Sequence, residues 1–220
     1  MSAELGRIEK PLVEEFKAGR KLYFVPLVYG SEELPPDYLE LFNKYWKQVE
    51  EQLSDLELKL GQVHKIYHEL IPSIGEEGLK ALKDLNEKSH HIAKSRIDKG
   101  SRLEAVEDID LLTEFMDWSR CLAIGLQNYK VREKVYESYI ESGKNREDFI
   151  SKHIDETLGS DEIGILFMRE GYKVTFPSEV EVFYISPPAL DEIKRWLRNQ
   201  ETQHSAEIRD EADKDEVANS

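Results

Sequence analysis

The stretch 61-GQVHKIYHEL-70 decides the fold. It carries two histidines four residues apart and Glu69 directly behind the second. Upstream, Leu39, Phe42, Trp46, Val49, Leu53, Leu56 and Leu60 recur in steps of three and four, which is one face of a helix. That series can be carried on through Val63, Tyr67 and Leu70 as a single long helix. The alternative ends the helix at Leu60, caps it with Gly61 and turns VHKIY into a short strand. Gly61 in the C-cap position, two β-branched residues and a tyrosine in five positions, and the turn residues Pro72 and Gly75 favour helix, cap and strand.

The two readings give different chemistry. On a helix, His64 and His68 share a face and could hold one divalent cation. The metalloprotease pattern needs Glu directly after the first His, and Lys65 stands there. On a strand, His64, Ile66 and His68 face one way, and Val63, Lys65, Tyr67 and Glu69 the other. Glu69 then sits at the strand's C-terminal end, where ligands bind in open parallel sheets. Ordinary structural histidines are the commonest outcome of such a pattern, ahead of a binding cleft, with a metal site third.

Working outward, KLYFVPLVYG (Lys21–Gly30) is a compact apolar run and reads as a strand. Pro26 inside it implies an edge position or an irregularity. Ser31–Pro36 is a loop leading into the helix. Residues 76–158 read as a large helical insertion with three helices. The first ends at Gly100, the second runs from Arg102 through Gly125, and the third occupies 128–158. The period then changes. EIGILFMREG (Glu162–Gly171) is continuously apolar, as expected of a strand covered on both faces, and EVEVFYIS (Glu179–Ser186) alternates. A closing helix follows Pro188. The expectation is one α/β domain over 20–199, with a mostly parallel sheet of about four strands. Residues 1–19 form a charged lead-in and 200–220 a disordered acidic tail.

Composition narrows the partners. The 220 residues carry a formal net charge of −15, which disfavours nucleic acid or an anionic membrane. Seven acids and two bases fall in 201–220; the rest of the excess is spread over the body. One cysteine, Cys121, excludes an internal disulfide, and the opening MSAELGRIEK has no apolar core of a secretory leader, so a reducing cytoplasm is expected. No apolar run reaches the length of a membrane span.

Other polar groupings have bland readings first. His90 and His91 with Arg96 form a solvated helix face. Glu104 with Asp108, and Glu114 with Asp117, align as acidic helix faces. Asp117 and Arg120, among Met116, Trp118 and Cys121, suggest a partly buried pair. MREGYK (Met168–Lys173) is different. If the strands are parallel, Arg169, Glu170 and Tyr172 reach the same sheet edge as Glu69 and Ser31–Glu33. Phosphate loops, nucleophile elbows and paired cysteines are absent from the sequence.

The first strand with its Gly-containing turn, the run LGQVHKIYHE with a carboxylate at the strand end, and the later GILFMREGYKV together resemble the superfamily of erythromycin esterase, ChaN-type haem-binding proteins and TraB. The resemblance implies an α/β fold and maps that group's Glu onto Glu69. It departs from the pattern where a His is wanted: Tyr29, Gly30, Ser31 and Glu32 stand there, and Gly171–Tyr172 also lacks one. The functional expectation is a metal-assisted or general acid–base hydrolase acting on a small molecule. Glu69 would be base or ligand, assisted by His68, Arg169, Tyr172 and Glu32. The rival is an interaction protein, a homodimer among the alternatives, whose seam is formed by Trp46, Val49, Leu53 and Leu56.

Overall fold

The structure is a computed structural model that describes residues 18–30 and 33–202. Five parallel strands form one sheet: β1 (Arg20–Pro26), β2 (Lys65–His68), β3 (Arg102–Glu104), β4 (Ile163–Met168) and β5 (Val180–Tyr184). Their order across the sheet is β3-β2-β4-β1-β5. The helices are α1 (Pro36–Leu60), α2 (Gly75–Leu85), α3 (Glu87–Ile97), α4 (Ile109–Ala123), α5 (Tyr129–Thr157) and α6 (188–202). The α/β class with long helices is as expected. The sheet has one strand more than the sequence suggested, because β3 hides inside the expected second insertion helix.

Gly61 does end α1. Its φ of 125° is open to glycine at little cost, and its N–H closes on the carbonyl of Glu57. The opening stretch is therefore helix end, cap and strand. The alternation of β2 separates its neighbours: Ile66 packs with the face covered by α1, α2, α3 and α6, and Tyr67 with the face covered by α5. β4 does the same at the centre. Ile163, Ile165 and Phe167 enter one core and Leu166 and Met168 the other, so every residue of the strand is buried. Gly164 lies on the α5 side, where a Cβ would meet Leu22, Tyr67 and Leu158 at 3.0–3.3 Å.

Four expectations need correction. β1 is an interior strand, not an edge. The amides of Lys21 and Leu27 bond to β4, so the intervening even positions face β5. Pro26 falls just beyond the last β1–β5 pair, Phe24 with Tyr184, where no donor is needed. The first insertion helix is two, broken at Asn86, whose side chain accepts the N–H groups of Lys88 and Ser89 as the N-cap of α3. The second starts at Ile109: Asp108 caps it through the N–H groups of Asp110 and Leu111, while Glu104 belongs to β3. The two acids therefore do not share a helix face. Asp117 and Arg120 pair on the surface, 63% and 68% exposed.

The seam of Trp46, Val49 and Leu53 lies in the internal core against the sheet, with Leu56 half-buried beside it, so it serves no second chain. α1 is held to α3 by Arg96, which is 1% exposed and bonds Glu50 at 2.9 Å and Glu57 at 2.8 Å. The lead-in 1–17 and the tail from 203 onward lie outside the described residues. Among the described residues, no helix is long and apolar enough to cross a membrane.

Candidate functional site

The C-terminal ends of four neighbouring strands deliver one polar cluster. Tyr29 follows β1, Glu69 follows β2, Glu107 follows β3, and Arg169 and Tyr172 follow β4. α5 adds Arg146 from its inner face. Parallel strands make this inevitable, because every strand end of one sense reaches the same edge.

Glu69 is the centre and is fully buried. Its Oε1 accepts a hydrogen bond from Arg169 Nε at 2.8 Å, and the hydroxyl of Tyr29 stands 3.5 Å away. Its Oε2 lies 3.7 Å from Arg146 Nη2 and has no hydrogen bond. Arg146, 1% exposed, forks onto Glu107: Nε bonds Oε2 at 2.8 Å and Nη2 bonds Oε1. Its guanidinium lies against two adjoining rings, Phe115 (5.3 Å) and Tyr172 (4.9 Å). Two buried acids thus meet two arginines and the charges cancel, the condition for keeping them in a core. Burial pushes the Glu69 carboxyl above its ordinary value, against the opposing pull of Arg169 and Arg146.

The backbone at Glu69 is strained as well. Leu70 has φ 66°, a left-handed conformation costly for a branched side chain. Its N–H donates to Glu107 Oε1 at 2.8 Å, so the same carboxylate that binds Arg146 also holds the turn. The turn is thus tied to Glu107 in the loop after β3 and to Arg146 of α5 rather than left as a free loop.

Arg169 differs from the other three charged members. Its side chain is 41% exposed, while those of Glu69, Glu107 and Arg146 are at most 1%. From behind it is fixed by Glu69 on Nε and by the Tyr172 hydroxyl, 2.7 Å from Nη2. Nη1 carries no bond among the described residues. In front lies a cleft of about 720 Å³ whose walls include Phe115, Tyr139, Arg169, Tyr172 and Lys173, with Gly143 at its side and the carboxylates of Glu147, Asp148 and Glu170 also on its lining. Phe115 and Tyr139 stack at 5.1 Å, and the ring of Tyr172 meets Phe115 edge-on at 6.3 Å.

The structure thus brings together Glu69, Arg169 and Tyr172 among the residues singled out from the sequence. His68 is not with them. It points to the opposite face of the sheet, against Phe167, and is fully buried. Its Nδ1–H donates to the Glu69 carbonyl at 2.7 Å and its Nε2 accepts from the Ser89 hydroxyl at 3.0 Å. Burial drives its pKa down to about 4, so it is neutral and structural in these contacts. His64 is outside β2 and accepts the Ile163 N–H at 3.0 Å, apart from His68. Glu32 lies outside the described residues. Among those described, no three His, Cys, Asp or Glu side chains gather closely enough to hold a metal ion.

Sequence reasoning missed Arg146, Glu107, Tyr29 and Phe115 as site members. Two of them had a signal. Arg146 falls on the inward phase of α5, in the series Val135, Tyr139, Ser142, Arg146, Ile150, where a charged residue must find a buried partner. Glu107 precedes Asp108, and an N-cap reading of Asp108 would have placed Glu107 in a loop after a strand.

No protein-family model matches this chain, and neither a curated protein nor a solved structure matches it. The fold and the site therefore define a class only: a three-layer α/β protein with a charge-balanced cluster at the C-terminal edge of a parallel sheet.

Proposed function

We propose that the chain binds a small anion with a planar or aromatic part in the cleft before Arg169. The observation that carries this is the arrangement of Arg169. It is a guanidinium held rigidly by Glu69 and Tyr172, yet open on one side, at the edge where parallel sheets receive ligands. A pre-oriented guanidinium suits a carboxylate or phosphate, because little side-chain freedom is lost on binding. The half-buried rings of Tyr139 and Tyr172, backed by buried Phe115, offer apolar surface beside it. Glu69, Glu107 and Arg146 orient the anchor and do not touch the ligand.

The test uses benzoate and phenyl phosphate as probes, with benzyl alcohol as the neutral control. Chemical-shift titration should give saturable binding of the anions only, weakened at least tenfold by Arg169→Met. Anions that fail to saturate, or that bind Arg169→Met as well as the parent, refute the reading.

A hydrolytic reading has one observation in its favour, the raised carboxyl of Glu69, which suits general acid–base work. Two arginines stand at 2.8 and 3.7 Å from that carboxylate and oppose a second cation there. This reading therefore favours metal-free chemistry and requires Arg169 to swing away before Glu69 meets a substrate. A hydrolytic activity lost in Glu69→Gln while probe binding persists would establish it over simple binding.

A further inference from the structure

We infer that the α4–α5 hairpin is a self-association arm, on which two copies of this chain pair antiparallel along the N-terminal half of α5. α5 has 29 residues, about 43 Å at 1.5 Å per residue. Its fully buried residues are Ser142, Arg146, Ile150 and Ile154, so the half before Ser142 has no buried anchor. That half nevertheless carries large apolar side chains: Tyr129 is 64% exposed, Tyr136 56% and Ile140 51%. They recur at i, i+7 and i+11, which is one stripe of the helix, turned away from the Val135–Tyr139–Ser142 side that runs on into buried Arg146 and Ile150. At the upper end the stripe opens into a groove of about 350 Å³ bordered by Leu122, Tyr129, Arg132 and Tyr136. Ile124, 72% exposed, extends the apolar surface into the hairpin turn. A contiguous patch of this kind marks an interaction face rather than scattered surface residues.

The charges along this half of α5 choose the occupant. Over 129–135 stand Lys130, Arg132 and Lys134 with Glu133, a net of +2; over 136–142 stand Glu137 and Glu141, a net of −2, and within the chain Lys134 pairs with Glu137 at 3.4 Å. Two turns of positive helix are followed by two turns of negative helix. A second copy laid antiparallel, with the twofold axis beside Tyr136, sets positive against negative at both ends at once. It also brings its own Ile140 towards the groove at Tyr129. Parallel pairing would oppose like charges along the whole stripe. A self-complementary patch is what a twofold interface requires.

The full chain tests this by sedimentation velocity, with two variants that change exposed residues only. K130E/R132E makes the first segment negative; E137K/E141K makes the second positive. At about 100 μM, where a micromolar Kd leaves most chains paired, the parent should sediment at about twice its 25.6 kDa mass. Each variant alone should fall to the single mass, since both of its contacts become repulsive. An equimolar mixture of the two should return to the doubled mass, because each contact again joins opposite charges. Far-UV circular dichroism checks that the variants keep the parent fold. A parent that is monomeric at this concentration, variants that still pair alone, or a mixture that stays monomeric would each overturn the proposal.

Discussion

Arg146→Met probes the charge cluster most directly. The substitution keeps much of the side-chain length against Phe115 and Tyr172 but removes the guanidinium. Glu107 then loses both bonds of the fork, and Glu69 loses the positive charge 3.7 Å from its Oε2. Removing one partner of a buried ion pair costs about 3–5 kcal/mol, because the other charge is left without water or a counter-charge. The two ring–cation contacts add about 1 kcal/mol each, of which methionine restores part by packing. The expected loss is about 4–6 kcal/mol, a large share of the roughly 5–15 kcal/mol that holds a domain together. The double variant Arg146→Met/Glu107→Gln is the informative one. The amide oxygen can still accept the Leu70 N–H that holds the strained turn, but no charge is stranded at Glu107. It should recover about 2–3 kcal/mol of the loss. Urea unfolding of the parent, both single variants and the double variant gives the coupling energy. A loss below about 1 kcal/mol in Arg146→Met, or a double variant no better than the single one, would mean the cluster is not a desolvated, charge-coupled network.

Three further outcomes are expected. His68 titrates near 4 in the fold against 6.5 ordinarily. Because the folded value is lowered, its contribution is complete above pH 6.5 and lost as the pH falls through about 4, worth about 3 kcal/mol in all. His68→Gln should therefore show a shallower fall in urea stability between pH 7 and 4, and an unchanged slope would contradict the assignment. In Gly78→Ala, the new Cβ would collide with the Ser73 carbonyl and press on Leu103, so α2 must shift off β3 at a cost of about 1–3 kcal/mol; a thermal midpoint equal to the parent's would show that the turn yields freely. Asn86→Ala removes the cap of α3 and strands the Val28 carbonyl, which Asn86 Nδ2 bonds at 2.9 Å, and should cost about 1–2 kcal/mol by chemical denaturation. A loss within error would place the cap outside the stabilising contacts.

What the chain's own order determined was local. The steps of three and four in α1, the glycine behind it and the uninterrupted apolar run of β4 each express a repeat that a few neighbouring residues decide, so the α/β class and the end of α1 at Leu60 were legible. The approach of Glu69 to Arg169 and Tyr172 was legible too, since it needs only that β2 and β4 run parallel. β3 was not: three residues in a strand leave almost no period, and its Leu103, with Val106 just after it, fits a helix equally well. The inner half of the cluster also depended on distance in space. Glu107 and Arg146 are 39 positions apart, and nothing local to either says that one neutralises the other. His68 shows the reverse case. The sequence sets it beside Glu69, but strand alternation turns the two side chains to opposite faces of the sheet. The tertiary structure made one of them the centre of a charged cluster and the other a neutral, fully buried residue of the opposite core, because desolvation and the placement of counter-charges are properties of the packed layers and not of the chain.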